Sequence, residues 1–243
     1  MTNLLGPGFA AYARIFHPPQ DHPGSVTWAD VAQANGRKMH PWAQWDQINS
    51  PTEPSPRAKP LRDRPRPDLN PWALEALCAI LTRHTATAQT CYFALWEGRT
   101  PGRVATTTSI AVYAPDGVLP PDIKLPAPAP RELHLDLSGP TFLVPGHNTL
   151  RGSPHYLFEG HVSAAARIGQ WVHESFFIPH PPDFIWPADH TWCVAATHVT
   201  STLIGGSLQL VDELCAAETV EALPIPPEAP FDLDPFDDPF NCS

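Results

Sequence analysis

Charge is scarce in this chain. Asp, Glu, Lys and Arg make up 16% of its 243 residues, and the acids outnumber the bases 25 to 15, for a formal net charge of −10. With no basic field to meet phosphates, no nucleic-acid partner is expected. Long apolar runs are missing as well: no segment approaches the roughly 18 residues of a membrane-spanning helix. The opening MTNLLGPGFAAYARIF has no positively charged stretch ahead of an apolar run, so neither a membrane partner nor export is expected. The five cysteines include no CxxC pair and are odd in number, which fits a reducing cytoplasm better than a disulfide framework. Also absent are GxGxxG, a P-loop, HExxH, a His-x₃-His helix and a GxSxG elbow. No catalytic residue, metal ligand or cofactor is assigned on these grounds.

Proline and aromatics are plentiful, with 32 Pro, 8 Trp and 11 Phe. A chain of this length buries a sizeable core, and the prolines fall between candidate elements, so long extended connections are expected. Within the apolar stretch Phe9–Phe16, Tyr12–Phe16 reads as a strand stopped by Pro18. Val26–Asn35 reads as a helix capped by Ser25 or Thr27 and ended by Gly36. Trp42 and Trp45, beside His40, suit either a clamp over that helix or a stacking surface for a sugar or base. Residues 50–70 form a basic, Pro-rich connection carrying Arg57, Lys59, Arg62, Arg64 and Arg66. Asn70-Pro71 is a helix start, with Trp72, Leu74, Leu77, Cys78, Ile80 and Leu81 forming an apolar face. The dense aromatic run Cys91–Gly98 is a central strand. Further strands are expected over 109–113, 132–137 and 141–144, with a Pro-rich loop over 115–130. Ala164–Gly169 is open between helix and other structure, and His173–Phe177 is extended.

The stretch Pro182–Leu223 carries the most consistent local signals. Trp192–Ala196 is a buried strand, and the hydroxyl-rich Thr197–Thr202 is a strand end or loop. Gly205-Gly206 is then a tight turn, with Ser207 as N-cap of a helix to about Ala217. That helix places Leu208, Leu210, Val211, Leu214 and Cys215 on one face. Glu221–Ile225 returns as a short strand. Helices and strands do not alternate as a doubly wound fold requires. The expected fold is α+β: a mainly antiparallel, twisted sheet, two or three helices on one face, and long Pro-rich loops. Residues 1–225 form one domain, and 226–243 form an acidic tail that repeats Asp-Pro-Phe at 234–236 and 238–240.

CYFALWEG at Cys91–Gly98, IWPADHTWCVA at Ile185–Ala195 and STLIGGS at Ser201–Ser207 resemble a group of uncharacterised actinobacterial proteins. WADVAQANGR (Trp28–Arg37) and HPWAQW (His40–Trp45) are similar to the same group. The likeness spans blocks over most of residues 9–225 and leaves out the tail. It implies one shared domain and a cytoplasmic bacterial setting, and no reaction, since the group has no assigned activity. Where this chain has His198 and Thr200 the group tends to carry acids, and where it has His190, Arg.

The leading functional reading is a soluble, non-enzymatic binding protein that recognises a protein partner, immunity-like or regulatory, with Phe236 and Phe240 of the tail as contact residues. One rival is an enzyme or small-ligand binder with a pocket between strand 91–98 and strand-turn 197–207, lined by Glu97, His198, Ser201, Gly205, Gly206 and Ser207. Within it, Cys193 or Ser201 beside His198 is a candidate nucleophile. His190 and His198 with Asp189 make a metal set that meets no spacing rule. A structural protein of a virus or mobile element is the third reading.

Overall fold

Tyr12-Ala13-Arg14-Ile15-Phe16 forms a strand whose two faces serve different cores. Ala13 and Ile15 join the largest apolar cluster, while Phe16 packs in a separate one with Trp28 and Trp45. The structure is a computed structural model that describes residue 5 and residues 8–20, 22–52, 60–96, 141–143, 154–173, 176–196, 200–227 and 240–241. Among these the strands are β1 (Ala11–Phe16), β2 (Cys91–Trp96), β3 (Thr141–Leu143), β4 (Pro154–Gly160), β5 (Gly169–His173), β6 (Phe176–Pro179), β7 (Phe184–Pro187), β8 (Cys193–Ala196), β9 (Ser201–Gly206) and β10 (Glu221–Pro224). The helices are α1 (Trp28–Ala34), α2 (Trp45–Ile48), α3 (Pro71–Thr82) and α4 (Leu208–Ala216), with a 3-10 helix at Val162–Arg167.

Eight strands form one sheet in the order β10-β1-β9-β8-β7-β2-β4-β3, and β5 and β6 form a separate hairpin. Every pairing is antiparallel. The expected α+β fold is what forms. On one face, Leu74, Leu77 and Leu81 of α3, Leu210 and Leu214 of α4 and Ala165 of the 3-10 helix pack with Ile15, Phe93, Ile185, Val194 and Ile204. On the other face, α1 and α2 add a smaller layer over Phe16. The Trp45 ring lies 5.2 Å from Trp28, so this tryptophan is the clamp over the first helix.

Thr27 caps α1 in a reciprocal capping box with Asp30. The Glu221 carboxylate of β10 accepts from Trp28 N at 2.6 Å and Ala29 N at 2.9 Å. Two more of the helix's free amides are thus satisfied, and α1 is tied to the sheet. Ser207 caps α4 through Leu210 N at 3.1 Å. Asn70 holds the N-cap position of α3 ahead of Pro71 but makes no side-chain capping bond.

Local pattern misled the reading at several points. Gly205-Gly206 is no turn: both residues complete β9, buried, and neither has positive φ. A Cβ on Gly205 would lie 2.5 Å from Phe9 Cδ2, and one on Gly206 would lie 2.6 Å from Leu210 Cδ2. These glycines are there for close packing on both faces of the sheet. Ser201 and Thr202, from the stretch expected to be a strand end or loop, are the first two residues of this strand, in keeping with a strand end. Phe184–Pro187 is a strand that inserts between β8 and β2. Leu208, on the expected apolar face of α4, is 63% exposed, and Cys215 is exposed too. Only Leu210, Val211 and Leu214 of that face are buried. The expected elements at 109–113, 115–130 and 132–137, and tail residues 228–239, lie outside the described residues.

Candidate functional site

The candidate site lies just after α1. Gly36, at φ +69°, turns the chain out of the helix, and Arg37 N closes the end by donating to Ala32 O at 2.8 Å. The following segment is held from two sides. Arg37 Nε donates to Ser50 O at 2.7 Å. From the sheet, the buried Arg14 donates through Nη1 to Pro41 O at 2.9 Å and to Ala43 O at 3.0 Å, with its guanidinium 4.6 Å from the Phe16 ring centroid. Burial in an apolar layer strengthens these charge-assisted bonds.

Onto Lys38–His40 folds the end of the acidic tail. Lys38 N donates to Asn241 Oδ1 at 2.9 Å, and Asn241 Nδ2 donates to Lys38 O at 2.9 Å. The same Nδ2 lies 3.0 Å from His40 Nε2, and Arg37 Nη1 donates to Asn241 O at 2.9 Å. Asn241 is only 2% exposed. Its amide thus reads a backbone N–H and C=O together, as a strand neighbour does. Phe240 rests on the His40 ring with centroids 4.6 Å apart, and Lys38 Nζ stands 4.7 Å from the Phe240 centroid. Phe240 is still 52% exposed. This arrangement has the features of a peptide site: a two-point polar anchor, an aromatic contact and cations beside an acidic ligand.

The residues expected to line a pocket are placed differently. Ser201, Gly205 and Gly206 are buried in β9, and Ser207 caps α4. Strands β8 and β7 stand between β9 and β2, a separation of about 14 Å at ordinary strand spacing. The structure therefore does not bring the two strands side by side. Glu97, His198 and Phe236 lie outside the described residues, and of the two expected tail contacts only Phe240 is placed.

Thiols and carboxylates near these strands serve packing and turns. Burial pushes the Cys193 and Cys78 thiols up to about 12 and Cys91 up to about 11, far from the thiolate form that attacks. Burial also acts to raise Asp189, but hydrogen bonds from Thr85, Thr191 and Ala86 override it and hold the carboxyl at about 2. Those bonds measure 2.7 Å from Thr85 Oγ1, 2.9 Å from Ala86 N and 2.8 Å from Thr191 Oγ1. Asp189 is a turn anchor. No group of three or more His, Cys, Asp or Glu among the described residues is placed to hold a metal ion.

Sequence reasoning missed Arg37, Lys38 and Asn241. His40 was noticed for its tryptophan neighbours and Phe240 for the repeated Asp-Pro-Phe, but a lone Asn beyond an acidic run carries no pattern. Also unforeseen is the buried pair of His155 Nε2 and Asp183 Oδ2, 3.7 Å apart, in which Asp183 accepts from Trp96 N at 2.5 Å. It joins β4 and the start of β7 to the end of β2. No helix among the described residues is long and apolar enough to cross a membrane. No protein-family model, curated protein or solved structure matches this chain.

Proposed function

We propose that this chain is a non-enzymatic recognition protein of the actinobacterial cytoplasm that binds a protein partner in an immunity-like or regulatory role. The observation that carries this reading is the seating of Phe240 and Asn241 on Lys38–His40. An aromatic contact together with a side-chain amide paired to backbone is a chemistry by which protein surfaces bind peptides, and this supports the reading. The half-exposed Phe240, the two Asp-Pro-Phe copies and the net charge of −10 supply the contact chemistry on the tail side.

The test is affinity capture from the native host with the full chain and its Phe236→Ala/Phe240→Ala variant, followed by rebinding of the captured protein in purified form. The expected result is one stoichiometric partner that rebinds the wild type and is lost with the variant. Unchanged rebinding removes the tail from the mechanism. A stoichiometric small molecule or metal found by native mass spectrometry would overturn the non-enzymatic reading.

A further inference from the structure

We propose that the cleft made by Arg37, Lys38 and His40 is a sequence-reading peptide site, occupied in the free chain by its own Phe240-Asn241. A partner binds by displacing that self-ligand with an acidic segment carrying an aromatic residue followed by Asn. The proposal rests on the binding-protein reading above and names its surface and ligand chemistry.

The chemistry of position 241 is strict. Asn241 Nδ2 donates to Lys38 O and its oxygen accepts from the Lys38 N–H, while Nδ2 also lies 3.0 Å from His40 Nε2. Asp has the same shape but would turn a carboxylate oxygen toward the Lys38 carbonyl, where Asn241 places a donor. Gln carries the amide one methylene too far for both backbone contacts. The preceding position needs an aromatic ring to lie on His40 and beneath the Lys38 ammonium. Arg37 and Lys38 add positive charge, which suits an acidic flank such as the Asp237-Asp238 that precedes Phe240 in this chain.

A second copy of the chain is the weaker candidate occupant. Its Phe240-Asn241 would make the same contacts as the resident pair, with nothing added, whereas the resident pair is tethered through residues 228–239. Covalent attachment makes the resident pair's contact intramolecular, which favours it over the same pair on a second chain. An outside ligand must therefore bring contacts beyond those two residues. Phe240 leaves half its surface open to meet them.

The experiment uses the full chain carrying Phe240→Ala/Asn241→Ala, which empties the cleft, and a fluorescent peptide of residues 232–243 read by anisotropy under reducing conditions. The expected result is saturable binding to the variant. A peptide with Asn241→Asp should bind about tenfold to a hundredfold more weakly, the scale of a buried amide that loses its donors. The wild-type chain should bind the peptide at least tenfold more weakly than the variant, because its own tail competes. A peptide that does not bind the variant, or binds both chains alike, or tolerates Asn241→Asp, overturns the proposal. Hydrogen exchange at the Lys38 amide is the second readout: protection should be lost in full-length Asn241→Ala while circular dichroism stays native. Retained protection overturns the proposal without reference to any added ligand. These measurements involve this chain alone. Success here with no partner recovered from the host would overturn the binding-protein reading and leave the site standing. A concentration-dependent dimer of the wild type, abolished by Asn241→Ala, would reassign the cleft to a second copy.

Discussion

Acidification from pH 7.5 to 5.0 should weaken the folded chain through one residue, His17. It lies at the end of β1, buried, with Nδ1 donating to Arg66 O at 2.8 Å and Nε2 accepting from Thr202 Oγ1 at 2.9 Å. Both contacts suit neutral imidazole, and a second proton at Nε2 would compete with the Thr202 hydroxyl hydrogen. Burial lowers this group from 6.5 to about 4, against the smaller upward pulls of the Arg66 carbonyl and Asp68. The folded chain therefore binds fewer protons than the unfolded chain between those two values. Stability contributed by neutral His17 is intact above about 6.5, declines as pH falls through that window, and is fully lost near 4. At 1.36 kcal/mol per pH unit the whole window is worth about 3 kcal/mol, of which about 2 kcal/mol is gone by pH 5.0. Urea unfolding at the two pH values, on the wild type and on His17→Asn, isolates the effect, since the carboxylates contribute equally to both chains. Asn keeps a donor near Arg66 O but forfeits the Thr202 bond, costing about 1–3 kcal/mol at pH 7.5. Its further loss on acidification should be about 2 kcal/mol smaller than that of the wild type. Equal losses would refute the assignment to His17.

Gly206→Ala should cost about 1–3 kcal/mol, because the new methyl meets Leu210 and Trp192 within a packed core; a thermal midpoint unchanged from wild type would show that the helix shifts freely. Asp189→Ala should cost about 1 kcal/mol, by removing the acceptor of Ala86 N and of the Thr85 hydroxyl at a partly solvated turn; urea titration measures it. Iodoacetamide at pH 8 should leave Cys78, Cys91 and Cys193 unmodified in the folded chain and modify all three in urea, since burial suppresses their thiolates. Rapid labelling of native Cys193 would contradict that burial and reopen it as a nucleophile.

Signals that act within a few residues were legible without any structure. Thr27 and Ser207 cap their helices, Gly36 ends α1, and the apolar spacing of Pro71–Thr82 gives a helix with one buried face. An apolar run ahead of Pro18 marked β1, and aromatic density marked β2. Each of these depends on hydrogen bonds or periodicity inside one segment, so the residues alone determine them. What Gly205 and Gly206 are for depended on Phe9, Tyr12, Trp192 and Leu210, some from far along the chain. Reading inward from a helix start suggested a turn; the structure required room between two packed layers.

The placement of β7 and β8 between β9 and β2 is likewise a matter of strand order, which no local pattern encodes. That order separated the two strands once expected to enclose a pocket. The clearest case is the cleft itself. Residues 37–40 and 240–241 are about two hundred positions apart, and nothing in either segment names the other. Asn is common in solvent, and only the match of its amide to the exposed Lys38 backbone edge makes it a ligand. The residues by themselves determined the helices, several strands, the apolar faces and the acidic, aromatic character of the tail. Tertiary structure alone decided which strands are neighbours, why two glycines are buried, and where the tail comes to rest, because each of those turns on contacts that exist only after the chain has folded.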